Sequence, residues 1–88
     1  MEEINVLLAI YDCVVITIEH NKVIATPCDD AMSGYYPIYE NRVTLCENTK
    51  YSMVIESKKV DGILLTIDDG EIKVNPVEDS HDGYQIID

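Results

Sequence analysis

An all-β fold, a small barrel or sandwich of about seven to nine short strands, is predicted by three features of this 88-residue chain. β-Branched, apolar runs of strand length recur, as in Val14-Val15-Ile16-Thr17-Ile18 and Ile63-Leu64-Leu65-Thr66-Ile67. Polar turn signals follow those runs, and Asp69-Gly70 suits a tight type I′ hairpin, whose two central residues both need positive φ. The chain also repeats itself. Residues 12–38 align without a gap to residues 61–87, 49 positions on, and eight of the 27 positions are identical. These are Asp12/Asp61, Thr17/Thr66, Ile18/Ile67, Pro27/Pro76, Asp30/Asp79, Gly34/Gly83, Tyr35/Tyr84 and Ile38/Ile87. An internal repeat sets architecture. It predicts a single domain, residues 1–88, made of two hairpin-loop-strand units related by a pseudo-twofold axis.

The elements follow in order. Ile4–Ile10 fits a strand through Ile4, Val6, Leu8 and Ile10, and a helix through Ile4, Leu7, Leu8 and Tyr11. Its counterpart in the second unit, Lys50–Lys59, reads as strand, so strand is preferred for both. Each unit then gives a strand, a turn (Glu19-His20-Asn21-Lys22 or Asp68-Asp69-Gly70-Glu71) and a second strand, Val23–Thr26 or Glu71–Asn75. Ile72 and Val74 alternate with Glu71 and Lys73, which makes one face wet. Pro27 and Pro76, lacking an amide donor, are expected to stop the ladder. Acidic loops follow, CDDAMSG and VEDSHDG, ending at Gly34 and Gly83 in turn conformations. Tyr35 and Tyr84 open a further strand. In Tyr35-Tyr36-Pro37-Ile38-Tyr39, alternation places Tyr35 and Tyr39 on one face and Tyr36 on the other. Pro37 argues for a sheet edge there. The segments between the units read as further strands with Glu-Asn turns.

The formal net charge is −11, and it is unevenly spread: −6 over residues 1–41, +2 over 42–60 and −7 over 61–88. Such a surface repels nucleic acid and anionic membrane and favours basic protein partners. With no Phe and no Trp, Val, Ile and Leu must fill the core, and six Tyr supply the large flat surfaces. Cys13, Cys28 and Cys46 are odd in number and form no CxxC pair, which fits reduced thiols in a cytoplasmic protein. The acidic start, MEEI, lacks a basic signal-peptide region. The apolar run Ile4–Ile18 is too short and too interrupted to span a bilayer.

No catalytic or metal motif emerges. Read as EF-hand loops, the two acidic segments place Ala31 and Ser33 where carboxylate ligands are needed, or run out of chain. Asp side chains capping their own turns account for them. Three Cys and two His show no zinc-ligand spacing. Cys28 precedes Asp29-Asp30, whose charges oppose thiolate formation, and no nucleophile elbow or Walker loop occurs. No enzymatic activity, cofactor or metal is expected.

The favoured expectation is an acidic binding or inhibitor protein that docks on a basic partner, such as a nucleic-acid-binding protein, by charge mimicry. Its contact residues would be Asp29, Asp30, Asp68, Asp69, Glu71, Glu78, Asp79 and Asp82, with Tyr35, Tyr36 and Tyr39 as aromatic anchors. In size and charge the chain resembles phage-encoded nucleic-acid mimics of the anti-restriction, anti-CRISPR and uracil-glycosylase-inhibitor kinds, a likeness of class. One alternative is a small-molecule or nucleotide-sequestering protein that holds anions through Arg42, Lys50, Lys58 and Lys59. Another is an assembly component, a homo-oligomer included, that pairs through exposed strand edges.

Overall fold

The computed structural model describes residues 2–45 and 50–87. Helix α1 (Glu2–Tyr11) leads into β1 (Cys13–Glu19), β2 (Lys22–Ala31) and β3 (Gly34–Pro37). A 3-10 turn (Tyr39–Asn41) and the short β4 (Val43–Thr44) come next. Helix α2 (Lys50–Lys58) then leads into β5 (Gly62–Asp68), β6 (Glu71–Ser80) and β7 (Gly83–Ile86). Neighbours in the sheet run β1-β5-β6-β7-β3-β2, and a β1–β2 pairing closes six strands into a barrel, with β4 added on β2. The fold is mostly β, as predicted.

Adding 49 to the bounds of β1, β2 and β3 gives those of β5, β6 and β7. The ladders agree too. Val14 opposite Leu65 becomes, on exchanging the halves, Ile63 opposite Ile16, and both pairs occur. Val15 faces its own counterpart Leu64, and Tyr35 faces its own counterpart Tyr84. These two seams, β1–β5 and β3–β7, join the halves and close the barrel.

Both segments that open the units are helices, which corrects the strand reading of Ile4–Ile10 and Lys50–Lys59. In α1 the helical stripe decides: Ile4, Leu7 and Leu8 are buried, while Val6 and Ile10 of the alternative strand face lie exposed. In α2, Tyr51, Ser52 and Ile55 are buried and Met53 is exposed. Each helix ends on a left-handed residue. Asp12 has φ 67° and donates its amide to Leu8 O at 3.2 Å; Lys59 has φ 56°, and Val60 N reaches Ile55 O at 3.3 Å. The helices cover the outer faces of β1, β2 and β5, forming one core with Val14, Ile16, Val23, Ala25, Ile63 and Leu65. A second, smaller core fills the barrel: Cys13, Val15, Cys28, Leu64, Val77 and Tyr84.

The prolines do not stop the ladder. Strand β2 continues through Pro27, and β6 through Pro76. Each proline lies at or one residue before the point where its strand changes partners: β2 passes from β1 at Pro27 to β3 at Cys28, and β6 meets both β5 and β7 at Val77, so the ladder runs on past the missing amide. Their carbonyls still accept, from Ile38 N at 2.8 Å and Ile87 N at 2.9 Å. The acidic "loops" are therefore mostly strand, with two-residue turns at Met32-Ser33 and His81-Asp82. Nor is β3 an edge, since it pairs with β2 and β7; Pro37 is its last residue, beyond the single β3–β7 pair. Tyr39 lies in the 3-10 turn and shares no strand face with Tyr35.

The hairpin turns are as predicted, with positive φ at His20 and Asn21 and at Asp69 and Gly70. Gly83 has φ +85°, and a Cβ there would lie 2.6 Å from Tyr35 O. Gly34 keeps an ordinary φ; its constraint is the Asp82 carbonyl, which a Cβ would strike. The expected Glu47-Asn48 turn and Cys46 lie outside the described residues.

Cys13 and Cys28 are free and buried, and Cys13 Sγ donates to Cys28 O at 3.1 Å. Burial, then Asp30 and Asp12, raises the Cys13 thiol from 9.0 to about 11; burial, then Cys13, raises Cys28 to about 12. Above pH 9 the folded state therefore keeps protons that the unfolded state releases. This contribution to stability is intact below pH 9 and declines as pH rises toward 11 and 12. Melting temperature should fall above pH 9, less steeply in a Cys13→Ala/Cys28→Ala protein. An unchanged alkaline slope in that variant would contradict the assignment.

Candidate functional site

A cleft of about 500 Å³ opens where the end of β1 meets the strands of the second half. Strand β1 contributes Thr17, Ile18 and Glu19, its last three residues. The residue before β5 contributes Asp61, β6 contributes Asp79, β7 contributes Tyr84, and the 3-10 turn contributes Tyr39. Both halves of the chain are needed to build it.

Local bonding fixes the acidic wall. The Asp61 amide donates to Val77 O at 3.2 Å, and Asp61 Oδ2 accepts from Asp79 N at 2.9 Å. One carboxylate is thus anchored to the strand that carries the next. Glu19 stands opposite and meets Arg42 Nη1 at 3.6 Å, with both side chains about half exposed. An ion pair so hydrated contributes little. The Tyr84 phenol, 7 % exposed, is pushed above its ordinary range by burial, then by Asp79, Tyr39, Cys28 and Glu19. It stays protonated and can both donate and accept hydrogen bonds. Thr17 is 6 % exposed, and its hydroxyl oxygen is buried with no hydrogen-bond partner among the described residues. An unsatisfied buried hydroxyl costs about 1–3 kcal/mol.

The eight acidic residues singled out from sequence are all exposed, but on different parts of the barrel. Asp79 is the one that lines the cleft. Asp29 and Asp30 sit opposite Tyr36 and Tyr35 on β2, and Glu78 sits opposite Gln85 on β6. Asp68, Asp69 and Glu71 surround the β5–β6 turn, where Lys73 meets Asp68 at 2.7 Å. Asp82 is in the β6–β7 turn. Of the aromatic candidates, Tyr39 lines the cleft, Tyr35 packs against the barrel core, and Tyr36 is 38 % exposed with its hydroxyl bonded to Ser33 Oγ.

The basic candidates are not gathered at one point. Arg42 pairs with Glu19, and Lys50 lies over the Tyr51 ring at 5.2 Å. Lys58 and Lys59 are at the other end of α2, roughly 12 Å along the helix from Lys50 at 1.5 Å per residue.

Sequence reading missed Thr17, Ile18, Glu19, Asp61 and Tyr84 as site residues. A signal for them existed. Five of the seven lining residues (Thr17, Ile18, Asp61, Asp79 and Tyr84) occupy positions identical between the two halves.

Chemically, the arrangement offers negative charge, hydroxyl acceptors and aromatic surface. Among the described residues no cysteine lines it, and the Cys13 and Cys28 thiols are buried and raised above their ordinary range. Among the described residues no group of three or more Cys, His, Asp or Glu could hold a metal ion, and no helix is long and apolar enough to cross a membrane. Comparison with protein-family models, curated proteins and solved structures finds no match.

Proposed function

We propose that this chain is a non-enzymatic, acidic binding protein that docks on a basic protein, with the cleft as the centre of its contact surface. The observation that carries the reading is the cleft itself: three carboxylates and two tyrosines line one space, no Lys or Arg lines it among the described residues, and Arg42 reaches its Glu19 only at 3.6 Å. Exposed carboxylates on β2 and β6 extend the negative field around it. A nucleic-acid-binding protein is the natural basic partner, which makes the chain an inhibitor by charge mimicry in the manner of phage-encoded decoys. The buried thiols Cys13 and Cys28 fit a reducing, cytoplasmic setting. Binding to an oligoarginine peptide should be saturable and should weaken steeply between about 0.05 M and 0.5 M salt, as exposed charges are screened. Salt-independent binding, or none, would count against the proposal.

A second reading, assembly through a strand edge, is favoured by one asymmetry between the halves. Strand β4 covers the outer edge of β2 at Ile24 and Ala25. On β6 the matching edge, Glu71–Asn75, has no strand beside it among the described residues, and Ile67, Ile72 and Val74 are exposed there. The counterparts of Ile72 and Val74, Val23 and Ala25, are 3 % and 0 % exposed, and that of Ile67, Ile18, is half-buried. A second copy pairing at that edge would bury them. Light scattering should then show a concentration-dependent dimer that Val74→Lys abolishes; a strict monomer would contradict the reading.

A further inference from the structure

The orphaned Thr17 hydroxyl defines what the cleft lacks. Thr17, whose hydroxyl oxygen is buried and unpartnered among the described residues, lines the cleft together with Glu19, Asp61 and Asp79 and with Tyr39 and Tyr84. All of these groups accept hydrogen bonds, and the three carboxylates carry charge. The three hydroxyls can each also donate one hydrogen bond, but the carboxylates leave acceptors in excess of donors, and a cationic donor from outside the chain would match that excess and the charge.

Resting on the docking reading, we infer that the cleft is a receptor for one guanidinium group, that of an arginine side chain on the basic partner. A metal ion requires ligands converging on one point at about 2.0–2.6 Å, and no three ligating groups do so among the described residues. Here the acceptors are spread over three strands, the residue before β5 and a 3-10 turn. A planar guanidinium sends five N–H donors outward to such dispersed acceptors, whereas an ammonium concentrates three at a point. Its flat face also stacks on a phenol ring. The volume of about 500 Å³ admits the arginine stem as well as its head. The chain already brings the same chemistry to the rim, for Arg42 Nη1 lies 3.6 Å from Glu19 Oε1, too far for a hydrogen bond. An incoming guanidinium would compete with Arg42 for that carboxylate.

The test is an amide-shift NMR titration in low salt with capped arginine (N-acetyl-arginine N-methylamide) and, in parallel, capped lysine. Saturable shifts should centre on Thr17, Glu19, Asp61, Asp79 and Tyr84, with capped arginine binding more tightly than capped lysine. Thr17→Val should weaken arginine binding about tenfold by removing a hydrogen bond to a charged group, yet melt higher than wild type. Glu19→Gln, at a half-exposed site, should weaken it comparably. Arg42→Gln should tighten it, and Lys73→Gln, matched in charge, should not. Equal affinity for capped lysine, unsaturable shifts across the acidic surface, or an unchanged Thr17→Val affinity would each overturn the inference. If oligoarginine still binds in a salt-sensitive way, the docking reading survives that result; if it does not bind, both fall.

Discussion

A chain that stops after Gly83 should not fold. The five residues lost include Tyr84, which is 7 % exposed and belongs to the core inside the barrel. Strand β7 pairs with β6 from Val77–Ile86 to Ser80–Gly83, and with β3 at Tyr35–Tyr84. Removing it opens the barrel along its seam and brings Leu64 and Val77, both 0 % exposed, toward water. Truncating one large aromatic side chain in a core already costs about 3–5 kcal/mol. A small domain has a total stability of about 5–15 kcal/mol, so the lost ladder bonds and the opened core should exhaust it. The expected observation is a non-cooperative thermal transition and collapsed amide-proton dispersion. A truncated protein that melts cooperatively within a few degrees of the full chain would refute this account of closure.

The second large effect is on binding. Neutralising the cleft with Glu19→Gln/Asp61→Asn/Asp79→Asn should lower affinity for oligoarginine about a hundredfold or more, since charge-assisted hydrogen bonds contribute about 1.5–3 kcal/mol each. The amides keep one acceptor oxygen, so the bond from Asp79 N to residue 61 can persist. Folding should be retained, and relief of like-charge repulsion in the cleft favours it. A control with the same change in charge, Asp29→Asn/Glu78→Gln/Asp82→Asn, alters exposed carboxylates that do not line the cleft. It should lose only the modest, long-range part of the attraction.

Local chemistry in the sequence foretold the turns. Asp69-Gly70 and His20-Asn21 take the positive φ that a two-residue hairpin demands. The helices were obscured because Ile4–Ile10 satisfies both periodicities, and exposed Val6 and Ile10 complete the strand pattern by coincidence. Pro27 and Pro76 misled because a proline stops a ladder only where its amide is needed, and each sits at or one residue before the point where its strand changes partners. The long-range seams, Val15 with Leu64 and Tyr35 with Tyr84, join residues 49 positions apart, which no local pattern reports. The cleft stayed hidden for the same reason. Thr17 and Glu19 reach Asp61, Asp79 and Tyr84 only after β1 has been laid against the second half. Counting acids marked the charged surface but could not say which carboxylates share a space. The identities between the halves carried that information without its geometry.

The central claim is that basic partners are held at the cleft by charge and hydrogen bonding, and the salt dependence of oligoarginine affinity tests it most directly. Wild type and the charge-matched control should both show a steep fall in affinity with rising salt. The cleft triple variant should bind weakly at low salt and change little thereafter. Identical affinity and salt slope in the cleft variant and the control would contradict the claim.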